Sequence, residues 1–286
     1  MRVVVFGKNG QVARALQSAN AELIMLGRDD TDLLLPGAAR AAIQKTDPQV
    51  VINAAAYTAV DKAETEPEAA RRLNTEAPAE MAEAAAQLSA PFLHISTDYV
   101  FDGVHAGRLT EESQTTPINK YGATKLAGEE AVMRAHQDAV ILRTSWVFSE
   151  HGANFVKTML RLAEARDALN VVADQTGGPT AAADIAATLL LIAGKKHRGA
   201  PGAGIYHYQG APPVSWAGFA QKIFEAAGKP VKVSHIKTEE YPTPARRPLN
   251  TVLDCARIER DFGIAQPDWR PGLERVISAL NNEGQY

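Results

Sequence analysis

Short apolar runs rich in β-branched residues recur through the first half of the chain, at residues 2–6, 23–26, 49–53, 91–96 and 140–143. Each is apolar on consecutive positions, the pattern of a strand buried on both faces. Between them lie stretches of helical character: one through Ala15 and Leu16, one over residues 38–45, an Ala-rich one over 77–88, and one carrying Tyr121 and Lys125. The Ala-rich stretch adds Glu and Met, which are also strong helix formers. Strands separated by helices predict an α/β fold, a Rossmann-type doubly wound parallel sheet. In such sheets ligands bind beyond the carboxyl ends of the strands.

After about Trp146 the pattern changes. Residues 154–165 and 181–193 are helix candidates, separated by the Gly- and Pro-containing Thr176-Gly177-Gly178-Pro179-Thr180. Residues 198–204 read as a surface loop and 241–248 as an extended, Pro-punctuated segment. The expected organisation is a dinucleotide-binding domain over residues 1–146 and a smaller C-terminal substrate-binding lobe over 147–286, with some later segments returning to the sheet. A chain of 286 residues has room for both. The formal net charge of -3 and the lack of a long basic run argue against a nucleic-acid partner. No basic-plus-apolar leader and no uncharged apolar stretch of bilayer length is present, so no membrane association and a cytoplasmic location are expected. The single cysteine, Cys255, excludes an internal disulfide or a Cys cluster for metal, and a packed, inert thiol is expected.

Chemistry gathers at the predicted strand ends. Gly7-Lys8-Asn9-Gly10-Gln11-Val12-Ala13 follows the first strand and opens a helix. Gly7 and Gly10 permit a tight turn and close backbone approach to a pyrophosphate, at which the helix aims its free N–H groups and dipole. Ala13 is small enough to let that helix pack close to the sheet. Ser96-Thr97-Asp98 follows a later strand and offers hydroxyls to a substrate oxygen, or simply caps a turn. Tyr121 and Lys125, four residues apart, share a helix face. A lysine charge beside a phenol favours its ionised form, and such a phenol can exchange a proton with a carbonyl or alcohol oxygen.

A nucleotide turn, a hydroxyl after a later strand and then Tyr-x-x-x-Lys together resemble the extended short-chain dehydrogenase/reductase superfamily. The match narrows to the dTDP-4-dehydrorhamnose reductase family. It is carried by the glycine turn, Asn53-Ala54-Ala55-Ala56-Tyr57-Thr58-Ala59-Val60-Asp61, the segment from Ser96 to Gly103, Tyr121 to Lys125 and Arg143-Thr144-Ser145-Trp146. Asn154-Phe155, Asp174-Gln175, Gly178-Pro179-Thr180 and Arg247-Pro248 extend it through essentially the whole chain. The resemblance implies reduction of the C4 keto group of dTDP-4-dehydro-β-L-rhamnose, the last step of dTDP-rhamnose biosynthesis. It makes Thr97 the catalytic hydroxyl, Tyr121 the proton donor, and Lys125 the residue that binds the nicotinamide ribose and acidifies Tyr121. It places Gly10, Gln11 and Val12 on the pyrophosphate turn, Asp32 and Leu33 near adenine, and Ala56, Tyr57 and Thr58 along the inner cofactor. Asp98 and Trp146 fall where the family contacts the sugar nucleotide. The diphosphate of that sugar needs cationic or N–H partners; Arg247 is a candidate, with an ordinary surface arginine as the alternative.

Two departures matter. Ala13 stands where a glycine is common in the family, a mild change. Ala15 and Ala183 stand where some members carry glutamates of a metal-linked dimer, so no metal is expected, and a monomer or a weak homodimer is. Cofactor choice rests on the end of the second strand, which runs into Gly27-Arg28, with acids only at Asp29 and Asp30. A guanidinium suits a 2′-phosphate, so NADPH is expected as cofactor with NADH as a second, accepted one. Rival readings are a 4-ketoreductase for another nucleotide sugar and a non-catalytic NADP-binding subunit of the same fold.

Overall fold

Strand β1 (Val3–Phe6) is buried along its whole length, and its alternate side chains enter different cores. Val3 and Val5 belong to one apolar cluster, Val4 and Phe6 to another. Both faces of such a strand need covering helices. The computed structural model, which describes residues 1–282, supplies them. Strands β2 (Ile24–Leu26), β3 (Val50–Asn53), β4 (Phe92–Thr97), β5 (Val140–Thr144) and β10 (Gly204–His207) join β1 in one six-stranded sheet. Its order is β2-β1-β3-β4-β5-β10 and every pairing is parallel. Helices α1 (Gln11–Ala19), α7 (Ala182–His197) and α9 (Ala256–Phe262) pack on one face. Helices α2 (Ala38–Thr46), α4 (Ala77–Gln87) and α5 (Lys120–Ala135) pack on the other. A short α3 (Pro67–Arg71) continues through a π-type turn at Arg72–Glu76 into α4. The strand order reverses at β1, which has β2 on one side and β3 on the other, and a crevice opens there beyond the carboxyl ends.

The remaining strands are short and build a lobe. They pair as β6 (Val147–Phe148) with β9 (Thr180–Ala181), β7 (Ala168–Val172) with β12 (Lys232–Ile236), and β8 (Thr176–Gly177) with β11 (Val214–Ser215). Helices α6 (Phe155–Ala163), α8 (Trp216–Ala226) and α10 (Trp269–Asn282) close a separate apolar core around them. The chain crosses between the two halves more than once. After the first lobe strands it returns to lay α7 against α1 and to add β10 beside β5, and α9 later joins the same face. Strand β10 begins at the last residue of the stretch read as a loop at 198–204. Strands β7 and β12 and helices α8 and α10 were not anticipated. Among the described residues, no helix is long and apolar enough to cross a membrane.

Candidate active site

One cleft of about 970 Å³ lies along the carboxyl ends of the sheet and is lined by both halves of the chain. Its size is at the upper end of the about 300–1,000 Å³ usual for ligand sites. At one end β1 gives way to Gly7, whose φ of 98° lies in the left-handed region. A Cβ there would sit 2.7 Å from the backbone of Ala54 and Ala55, so only glycine lets this turn rest on the end of β3. Gly10 caps α1 with no side-chain bond to the helix N–H groups, which leaves that helix start free to receive an anion. The turn therefore fits a dinucleotide pyrophosphate. Gln11 ties it to the far wall: its Oε1 accepts from Ser149 Oγ and Asn154 Nδ2, both at 2.9 Å.

Gly10, Gln11, Val12, Arg28, Asp32, Leu33, Ala56 and Thr58 all line the cleft. Asp30 does not engage Arg28. Its Oδ2 accepts the Gly27 N–H at 2.8 Å and lies 3.7 Å from Lys8 Nζ, so the nearby carboxylate is held in the turn. Tyr57 is not on the lining. Its backbone is clamped by Asn74, and its phenol donates to Glu66 Oε2 at 2.5 Å, away from the cleft.

At the other end, β4 and α5 bring the chemistry together. The Asn119 side chain caps α5, accepting from Gly122 N at 2.8 Å, and Tyr121 and Lys125 follow one helical turn apart. Gly122 allows α5 to seat against the turn after β4: a Cβ there would lie 2.1 Å from Tyr99 O. Thr97, Asp98, Tyr121 and Lys125 all line the same cleft, with Trp146 beyond them. Thr97 Oγ1 donates to Asp98 Oδ1 at 3.0 Å, while Asp98 Oδ2 is buried with no hydrogen-bond partner. Burial pushes the Asp98 carboxyl up to about 7, against the hydroxyls of Thr251 and Thr97, which favour the carboxylate.

The expected acidification of Tyr121 is not found. Burial instead pushes the phenol up to about 12; Thr97 draws it down and the Asp98 charge adds to the rise. The reason lies with Lys125, which is only 1% exposed and points beneath the tyrosine into the sheet. Its Nζ donates to Ile95 O at 2.7 Å and sits 3.3 Å from His94 Nε2. Desolvation lowers the amine to about 8, with Glu129 opposing. A lysine turned to Ile95 and His94, and not to the phenol, exerts little pull on it.

Trp146 adopts a φ of 46° and stacks on Trp216 of α8, with ring centroids 3.5 Å apart. Both rings line the cleft, and Trp216 carried no motif that marked it. Behind Lys125 lie His94, read from the sequence only as a strand residue, and Asn53, marked only as the start of a matching segment and given no role. Arg247 is not brought to the lining. Its guanidinium makes a two-pronged pair with Asp61, at 2.9 and 2.8 Å, and also donates to Ala245 O. Cys255 is buried and its thiol is pushed up to about 12 by desolvation, the state of a packed, unreactive cysteine.

A parallel sheet with a glycine turn after its first strand, facing a hydroxyl, a tyrosine and a lysine on β4 and α5, defines a short-chain dehydrogenase/reductase. The model of the RmlD substrate binding domain matches residues 1–282. A dTDP-4-dehydrorhamnose reductase from Sinorhizobium fredii is 47% identical, over 100% of this chain and 99% of its own. The enzyme of that name from Escherichia coli K12 is 40% identical, over 98% of each. Among solved structures, a dTDP-4-dehydrorhamnose reductase from Clostridium acetobutylicum superposes with a TM-score of 0.93 at 37% identity, covering 98% of this chain and 100% of its own. One from Bacillus anthracis, in complex with NADP, gives 0.91 at 36%, covering 97% and 99%. The chain belongs to the dTDP-4-dehydrorhamnose reductase family.

Proposed function

We propose that this chain reduces the C4 keto group of dTDP-4-dehydro-β-L-rhamnose to give dTDP-β-L-rhamnose, with NADPH as the preferred cofactor. The observation that carries the reading is the meeting of Thr97, Tyr121 and Lys125 with the Gly7–Gly10 turn in one cleft. When bound, a reduced nicotinamide dinucleotide supplies the hydride. Tyr121 gives its proton to the oxygen that gains charge at C4, and the Thr97 hydroxyl hydrogen-bonds the same oxygen. A phenol held near 12 keeps its proton until an alkoxide, a stronger base, forms beside it. The backbone N–H groups at the start of α1 hold the pyrophosphate, and Lys125 holds the nicotinamide ribose. Asp98 and Trp146 contact the sugar nucleotide; Arg247 could serve its diphosphate only by leaving Asp61. The protein acts in the cytoplasm, as a monomer or weak homodimer, on a nucleotide-sugar partner.

Arg28 favours NADPH because it lines the cleft after β2 while the neighbouring Asp30 is occupied by Gly27 and Lys8. The Bacillus anthracis relative in complex with NADP supports the same choice. Incubating the protein with NADPH and a panel of dTDP-4-keto sugars, and following loss of the reduced nicotinamide, tests the assignment. The rhamno-configured sugar is expected to be turned over best; a faster reaction with another sugar, or none with this one, overturns it. Arg28→Ala is expected to bring kcat/KM for NADPH down toward that for NADH, a preference of about tenfold or more being lost. An unchanged ratio would leave Arg28 without this role.

A further inference from the structure

Behind Lys125 lies a buried chain of polar groups whose hydrogen bonds fix the proton positions. Asn53 ends β3, and its Oδ1 accepts the Ala55 N–H at 3.0 Å. That bond settles which end of the amide faces His94: it is Nδ2, 3.0 Å from the ring's Nδ1. An amide nitrogen only donates, so Nδ1 is the acceptor and the neutral imidazole carries its proton on Nε2. The ring is neutral because it is fully buried; desolvation first, and the Lys125 charge second, hold it well below the usual histidine range. Nε2–H then faces Lys125 Nζ at 3.3 Å. An ammonium has three donors and no acceptor, whereas a neutral amine has a lone pair for this N–H and can still donate to Ile95 O.

The charged groups around the amine leave it without a committed counter-ion. On α5, Glu129 is one turn beyond Lys125, but its carboxylate receives Arg143 of β5 through Nε at 2.9 Å and Nη2 at 2.6 Å, and Ser96 Oγ at 2.5 Å. On the segments packed against α5, Arg71, Arg72, Glu76 and Glu80 pair among themselves, and Glu64 receives the Lys120 N–H. Asp98 and Tyr99, after β4, lie on the Tyr121 side, where Asp98 is bonded to Thr97.

We propose that Asn53 and His94 act as a positioning pair, fixing the ring tautomer that presents an N–H to Lys125 and so weakening the hold of Lys125 on its proton in the cofactor-free protein. A negative charge arriving beside it, from a dinucleotide's phosphates or from a phenolate on Tyr121, then strengthens that hold. That consequence for catalysis rests on the reductase reading above; the protonation state itself does not. Nuclear magnetic resonance of the cofactor-free protein tests it without any activity assay. The ring-nitrogen shifts of His94 are expected to show Nε2 protonated and Nδ1 bare, and the ε-carbon shift of Lys125 to titrate with a midpoint no higher than about 8. Asn53→Leu removes the donor that fixes the tautomer, so the Lys125 midpoint is expected to rise by roughly a unit or more as Nε2 becomes free to accept. A proton on Nδ1 in the unsubstituted protein, or a Lys125 midpoint in the ordinary lysine range, overturns the proposal, and both are read whether or not the variant folds. In a folded variant, an unmoved midpoint also overturns it.

Discussion

Tyr121 and Asp98 are the two residues whose protonation the cleft sets most directly, and each gives a measurable consequence. Tyr121→Phe keeps the ring and its edge-on contact with Tyr99 but removes the proton donor. Its kcat is expected to fall by about 10²–10⁴, with cofactor affinity nearly unchanged, as steady-state kinetics and a cofactor titration would show. Asp98 holds its proton up to about 7 in the folded protein, against 3.8 for an unperturbed aspartate. A raised carboxyl stabilises the fold below the unfolded value, and that stability is lost as pH rises toward the folded one. Asp98→Asn has no charge to bury, so relative to wild type it is expected to gain on the order of 2 kcal/mol in urea unfolding between pH 5 and pH 8. A difference that stays flat with pH would mean the carboxyl is ionised throughout. Tyr121 and Lys125 were legible because a four-residue spacing on a helix is itself a geometric statement. His94 and Asn53 were not, because a polar residue in a buried strand leaves no spacing signal and reveals its partner only once β3, β4 and α5 are assembled.

At the level of elements, α5 does more than carry two side chains. Gly122 and Gly128 let it approach its neighbours closely; a Cβ on Gly128 would lie 2.0 Å from Asn74 O. Asn74 in turn bonds the Tyr57 backbone and Thr124, so the contact links the helix to the loop after β3. Gly128→Ala is expected to lower stability by about 1–3 kcal/mol through overpacking, measurable as a lower denaturant midpoint. An unchanged midpoint would show that helix and loop separate freely. Five of the six strands of the main sheet were legible to within a residue or two because runs of consecutive apolar positions mark burial on both faces; β10, Gly-Ile-Tyr-His after a stretch read as a loop, was not. The lobe strands were harder. β7 alternates exposed and buried residues over only five positions, and β8, β9 and β11 have two residues each, too short for any period to show.

Across the whole molecule, the cleft is a joint product of both halves. Trp146, just past β5, and Trp216, on α8, stack face to face on its wall, so the lobe core reaches the site through this pair, with Phe155 beside it. Trp216→Ala removes that support and is expected to raise KM for the sugar nucleotide by roughly tenfold while cofactor binding holds. Equal losses for both ligands would indicate a general collapse of the cleft. The return of the chain to the sheet as α7 and β10 also bears on how such proteins could exchange parts. A gene spliced once, near residue 146, would join a front half from one relative to a back half from another, and the foreign portion would include the helix that covers α1 and the strand that borders β5. Swapping sugar specificity between relatives therefore calls for grafting separate pieces of the lobe while the native α7, β10 and α9 stay in place, and single-crossover hybrids would begin life with a mismatched core.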